Sequence, residues 1–362
     1  MSRAAATLQS GLILIGLVAA ALLVARLQEL IVVLLIGIVL AEGLRPVVDS
    51  IEARAVPRAV AAGLVYLSLV AGVVVVVAAL VGPAVAEGRL VLANLPLYQL
   101  EFQRNFGQLL AQLSLDSSVA PQVGSSLQSV ARAALNVATV AFRGAVDAIA
   151  VILVSFLWIF TRRSAGAFAL SLFPEANRAS AVQVLAEIDR GLAGYVRGVG
   201  INMLVIGVAT GVAAALLGLP APALLGLLAG LTEMIPIAGP ILGAVPAILL
   251  GFTISPYHPL LVALVYLVIQ QVEAHTLVPL VMRHSVGLPA LAVIVALAAG
   301  ATLGGVGGAI LAVPIAFALQ VIVLRVLAPW IRARHASVAA SSERSSRPAG
   351  RRSPPAPDPP AA

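Results

Sequence analysis

Apolar residues in this chain come in long uninterrupted runs, not in the one-sided stripes of soluble helices or the alternation of half-buried strands. Runs at 11–25, 30–44, 59–81, 145–160 and 201–219 are followed by others at 221–235, 237–252, 259–272, 288–303 and 306–327. A helix that crosses the hydrocarbon core needs about 20 mainly apolar residues, and several of these runs are shorter. The pattern predicts an all-α fold: a polytopic transmembrane helix bundle with about 8 spans. Arg3 before the first run suits a signal peptide or a signal anchor, and the second run follows so closely that an uncleaved anchor is expected.

The segment 83–144 breaks the pattern. Leu95, Leu100, Phe106, Leu109, Leu110 and Leu113 recur at near-helical spacing. Pro96 and Pro121 suit the first turns of two helices, with Asp116, Ser117 and Ser118 between them. This predicts an extracytoplasmic helical insertion with one greasy face, packed on itself or on the membrane surface, or serving subunit contact or gating. The stretch 174–197 reads as an amphipathic cytoplasmic helix lying at the interface. The expected organisation is N-terminal transmembrane helices at 1–82, the insertion at 83–144, a transmembrane core at 145–330, and a disordered basic tail at 331–362.

Composition supports a lipid-facing exterior. Of 362 residues, 61% are hydrophobic and 10% charged, with mean hydropathy +1.07; so little charge cannot cover a soluble surface of this size. There is no Cys, which excludes disulfides, thiolate metal sites and Cys nucleophiles. There is no Lys, which excludes a P-loop lysine and Schiff-base chemistry. No HExxH, GxSxG or convincing His cluster is present, so no enzyme activity, catalytic residue, metal or cofactor is expected. The net charge of +7 does not point to nucleic acid, because the arginines gather between apolar runs. Arg45, Arg54 and Arg58 form one group, Arg162, Arg163, Arg178, Arg190 and Arg197 a second, and the tail arginines from Arg332 a third. With both termini cytoplasmic in a bacterial inner membrane, all three groups fall inside, facing anionic lipid.

The richest chemistry lies at 219–252. Each half of this run is short, and Pro236, Gly239 and Pro240 interrupt the middle. Either two short tilted helices span, or the pair forms a re-entrant helical hairpin; interrupted helices of this kind mark transport sites because free backbone dipoles can hold a solute or ion. Glu233 sits one turn before the break, where a carboxylate at membrane depth is costly; the alternative is a wet tip at the cytoplasmic interface. In the next run Tyr266, Gln270 and Glu273 share one helix face, and His275 stands where it could exchange a proton with Glu273. The competing reading is a helix end reaching the cytoplasm before Pro279. Gly300, Gly304 and Gly308 repeat at four-residue spacing, as do Gly207/Gly211, Gly226/Gly230 and Gly239/Gly243, which suits close helix packing. Gly304, Gly305, Gly307, Gly308 and Pro314 could instead form a second hairpin opposed to the first.

Three stretches resemble the AI-2E family of transporters, also called PerM-like permeases: 233–250, 270–289 and 304–314. The motif E-x-I-P-x-x-G-P is matched by Glu233, Ile235, Pro236, Gly239 and Pro240. Gln270, Glu273 and Pro279 match Q-x-x-E followed by proline. Gly287, Leu288 and Pro289, then Gly304, Gly307, Gly308, Val313 and Pro314, match the later patterns. Arg283, Ala290 and His275 depart from residues common there. The resemblance implies a membrane transporter; some members are linked to autoinducer-2 export and others look like sodium/proton antiporters. The expected function is movement of a small solute or ion, coupled to a proton or sodium gradient, with an oligomeric passive channel or a non-transporting accessory protein as alternatives. Expected partners are membrane lipids, a small solute or cation (H+ or Na+), and further copies of the chain in a homo-oligomer, with a pentamer as the candidate size.

Overall fold

The computed structural model describes residues 26–277, 287–329 and 331–332. The first apolar run with its anchor, Pro279, Arg283 and the tail from residue 333 lie outside the described residues. Every regular element among the described residues is helical. In chain order these are α1 (Gln28–Glu52), α2 (Arg58–Val76), α3 (Gly82–Ala93), α4 (Leu95–Gln112), α5 (Ala120–Ser171), α6 (Glu175–Leu216), α7 (Pro222–Thr232), α8 (Ala238–Gly251), α9 (His258–Val272) and α10 (Ala290–Ile322). Proline sets several starts: Pro57 and Pro174 precede α2 and α6 with extended backbone, and α4, α5, α7 and α9 each carry one in the first turn. There the missing N–H removes a donor that would have no partner anyway. The described residues up to Phe317 form one compact unit; the end of α10, the π-turn Val323–Leu327 and the residues after it belong to a second.

Among the described residues, six helical stretches are long and apolar enough to cross a membrane: Gln28–Glu52, Arg58–Ala93, Ala148–Ser171, Asn177–Leu216, His258–Thr276 and Ala290–Leu327. The protein is therefore a multi-pass membrane protein built as a helical bundle. The helix expected at 174–197 is continuous with the run behind it, because no breaker stands between Glu175 and Leu216.

Helices α7 and α8 have 11 and 14 residues, about 16 and 21 Å at 1.5 Å per residue. Neither reaches across a hydrocarbon core of about 30 Å. They fold back on each other as a hairpin, Gly243 meeting the Ala229 backbone. Its outer surface lies on α6 through matched glycines, with Gly226 and Gly230 against Gly207, Gly211 and the Met203 carbonyl. Absent side chains let the two backbones touch.

The last apolar stretch is a second hairpin. Helix α10 breaks at Gly304 (φ −136°) and Gly305 (φ 57°, ψ −140°), a conformation that costs glycine alone little. Gly300 then lies against Gly308 across the fold, so a methyl group on either would strike the other's carbonyl. The four-residue glycine repeat thus lines a reversal, not the face of one straight helix.

The two hairpins point in opposite directions. Helices α1 and α6 run antiparallel, with Gly43 against Val196 and Arg45 bonded to Asp189. The first hairpin turns near the Val196 level and extends its arms toward Leu216. The second turns against Val32, and its returning arm brings Phe317 onto Gly191 near the other end.

The 83–144 segment does not pack on itself alone. Phe102 and Phe106 of α4 stack edge-on with Phe252 at the end of α8. Asn105 donates to the Phe252 carbonyl at 2.8 Å, Tyr257 donates to Gln112 at 2.7 Å, and Glu87 accepts the Leu224 amide at 3.0 Å, meeting the open N-terminus of α7. Of the expected greasy face, Leu95 is buried while Leu100 and Leu113 are exposed. Asp116 accepts both the amide and the hydroxyl of Ser118, which hold its carboxyl below the usual range. Replacing the buried Asn105 by Leu should cost about 1–3 kcal/mol, since it strands a buried carbonyl. A thermal unfolding curve in detergent checks this; an unchanged midpoint would mean that water already serves Phe252.

Candidate functional site

The site forms where α7 stops. Beyond Thr232 the backbone turns through short bonds, from the Met234 amide to the Leu231 carbonyl (3.2 Å), from Ile235 to Thr232 (2.9 Å) and from Gly239 to Ile235 (2.8 Å). Ile237 at the bend has φ 71°, rare for a β-branched residue. Gly239 is required next: a Cβ there would lie 3.0 Å from the Glu233 Cα and would collide with the Thr232 carbonyl. Pro236 and Pro240 keep the two helices from merging. Glu233 is thereby fixed at the C-terminal end of α7 and is only 7% exposed.

Helix α9 supplies the second carboxylate. Glu273 opens a π-turn, Glu273–Leu277, and is 5% exposed; such turns often sit at functional positions. Gln270, one turn earlier, donates from Nε2 to Glu273 Oε2 at 2.8 Å. Between the two acids stands Asn202 of α6. Its Nδ2 donates to Glu273 Oε1 at 2.7 Å and to Glu233 Oε2 at 3.1 Å. Two buried carboxylates from different helices thus share one amide nitrogen. Two buried acids packed this closely repel each other unless a donor or a cation stands between them. Carboxylate oxygens are the ligand type a hard cation takes.

Of the residues picked from sequence, Glu233, Gln270 and Glu273 come together. Tyr266 is buried two turns from Glu273, and its hydroxyl has no partner among the described residues. His275 does not join: it is exposed, and its Nδ1 meets the Gln271 carbonyl at 2.9 Å. Two residues beyond Glu273, it faces the opposite side of the helix. Pro236, Gly239 and Pro240 shape the break, whereas Gly300, Gly304 and Gly308 build the second hairpin. Asn202 was not singled out from sequence, although a lone amide in an apolar run is a signal that a polar partner waits nearby.

A second polar cluster was also not anticipated. Glu42, 3% exposed in the middle of α1, accepts from Arg45 (2.9 Å), from Arg162 Nε (2.7 Å) and from Trp158 Nε1 (3.0 Å). Asp189 of α6 binds both arginines. Arg58 of α2 joins Asp49 and Glu52. Arg45, Arg58 and Arg162, read from sequence as lipid-facing loop charges, are engaged in ion pairs that tie α1, α2, α5 and α6 together.

Residues 12–328 match the family model described as AI-2E family transporter. The chain belongs to this family. Relatives include "Putative transport protein YrrI" of Bacillus subtilis, 36% identical over 43% of this chain and 44% of that protein, so the chain spans less than half of it. "Putative transport protein YueF" of the same organism is 28% identical over 75% of this chain and 77% of that one. "Putative transport protein MT0215" of Mycobacterium tuberculosis is 27% identical over 83% and 84%. As a member of the AI-2E family, the chain is similar to membrane proteins named for transport, and its two opposed hairpins and buried acids are features that transport sites use.

Proposed function

We propose that this protein moves a small solute or ion across the bilayer and that Glu233 and Glu273 couple the movement to a proton or sodium gradient. The observation that carries this reading is the shared Asn202 amide between two buried carboxylates at an interrupted helix. Charge at such depth is retained where it binds something. Loading one positive charge between the acids relieves their repulsion, and releasing it restores the repulsion; this is a two-state element that a gradient can drive. The arginine-rich groups at 45–58 and 162–163 support an inner-membrane orientation with both termini cytoplasmic. A homo-oligomer belongs to the same proposal.

The test uses purified full-length protein in liposomes with a pH-sensitive dye in the lumen. Added Na+ should shift lumen pH for the wild type. Glu233→Gln and Glu273→Gln, which keep shape and remove charge, should fall to the rate of protein-free liposomes while eluting as intact protein. Full response in both variants would end the coupling role. Flux that persists in both without any gradient dependence would identify a passive channel instead.

A further inference from the structure

Hydroxyls inside this bundle are normally satisfied: Thr210 bonds the Ile206 carbonyl of its own helix, and Tyr66 bonds Ser155. Among the described residues, three buried side-chain atoms have no partner: Tyr195 Oη, Asn202 Oδ1 and Tyr266 Oη. They are not scattered. Tyr195 and Asn202 are seven residues apart on α6, hence on one face and about 10 Å apart along the axis. Tyr266 and Glu273 have the same spacing on α9. Helices α6 and α9 run antiparallel, since His258 Nε2 meets the Leu217 carbonyl at one end and Asn202 meets Glu273 farther along. Tyr266 therefore lies on the Leu217 side of the carboxylates, and Tyr195 on the Glu175 side. Both tyrosines are deeply buried, 5% and 8% exposed.

A buried polar atom without a protein partner is costly unless water or a ligand meets it. Here the three such atoms flank and enter the carboxylate cluster. We propose that Tyr195 and Tyr266, shut off from solvent in this conformation, line the routes by which water reaches the Asn202–Glu233–Glu273 cluster when it opens, one from each side. Each hydroxyl can both donate and accept, so it can pass along a hydrated proton or replace part of a cation's water shell. The use of this path for transport rests on the function proposed above; its hydration does not.

The chain has no cysteine, so single cysteines can be introduced into the full-length protein without background. Tyr195→Cys and Tyr266→Cys are placed in right-side-out and inside-out membrane vesicles and treated with a membrane-impermeant, positively charged methanethiosulfonate. Ala62→Cys is the control: it is fully buried in the separate apolar cluster of α1, α2 and α5, away from the α6 and α9 faces that carry the tyrosines. Both tyrosine positions should react at least about tenfold faster than the control, because thiol reactivity follows access and thiolate formation. They should react from opposite faces of the membrane. Should either tyrosine variant fail to assemble, Val199→Cys or Ile269→Cys, lying between a tyrosine and the cluster on the same helix face, carries the same test. Reaction as slow as Ala62→Cys at both levels overturns the proposal. Fast labelling without any flux would defeat the transport reading and leave the hydrated path standing. Carboxylate-dependent flux without labelling would do the reverse.

Discussion

Replacing Glu42 by Leu is expected to destabilise the protein by about 3–5 kcal/mol, the cost of breaking a buried ion pair from one side. The side chain is nearly inaccessible, and three donors from two helices converge on it. Without it, the Trp158 Nε1 and Arg162 Nε donors lose their partner in the protein, and Arg45 and Arg162 are left with Asp189 and Asp49. Helices α1 and α5 lose their direct tie, and only Asp189 still links them through α6. Thermal unfolding in detergent, followed by Trp158 emission, reads the effect. A second substitution sharpens it: adding Arg162→Leu to Glu42→Leu leaves the balanced Arg45–Asp189 pair and should recover part of the lost stability. Arg54→Ala at the exposed end of α1 should change the midpoint little. A Glu42→Leu protein as stable as wild type would show that the cluster is hydrated and not structural.

The second large effect is expected at Gly226. A Cβ there would stand 2.6 Å from the Gly207 carbonyl oxygen and 2.8 Å from the Gly211 Cα. Both are backbone atoms, so no side chain can swing aside and the helices must part. Gly226→Val should therefore cost about 3 kcal/mol or more, the upper range of overpacking. The loss extends to the site, because α7 carries Glu233 and α6 carries Asn202. Ion-coupled flux should fall with stability. Gly166→Ala is the contrast: nothing lies within 4 Å of that position, and the exchange should stabilise α5 by up to about 1 kcal/mol through helix propensity. Equal midpoints for Gly226→Val and wild type would mean that α7 can shift on α6 without penalty.

Both predictions bear on how the site is held. Its three contributing segments reach it by different means: α7 through a proline–glycine break, α9 through a π-turn, and α6 through bare glycines that draw α7 close. The opposed hairpins give the bundle two interrupted elements, and the arms of the first stop short of a full span, a construction that transport sites use to present backbone groups to a solute. The 83–144 segment closes on the first hairpin through Phe102, Phe106, Asn105 and Glu87, so movement of either would be felt by the other.

How much could be read beforehand depended on the range of the interaction. The apolar runs, the prolines opening α4 and α5, the break at Pro236–Pro240 and the polar face of α9 are local features, and each was legible. The second hairpin was visible only as an alternative, because Gly300, Gly304 and Gly308 at four-residue spacing suit a straight packing face equally well. His275 is close to Glu273 in the chain, but residues two apart face opposite sides of a helix, so it points outward.

The amino-acid sequence alone determined that this chain is a helical membrane protein and where its helices are interrupted. Hydropathy and proline or glycine chemistry act within a few residues, so they can be read one segment at a time. Which segments meet was decided only in three dimensions. Asn202 joins Glu233 and Glu273 across 31 and 71 residues of chain, and Glu42 holds Arg162 across 120. No local pattern encodes such partners; burial does, because inside an apolar bundle an acid must find a donor, and the fold chooses which one is near.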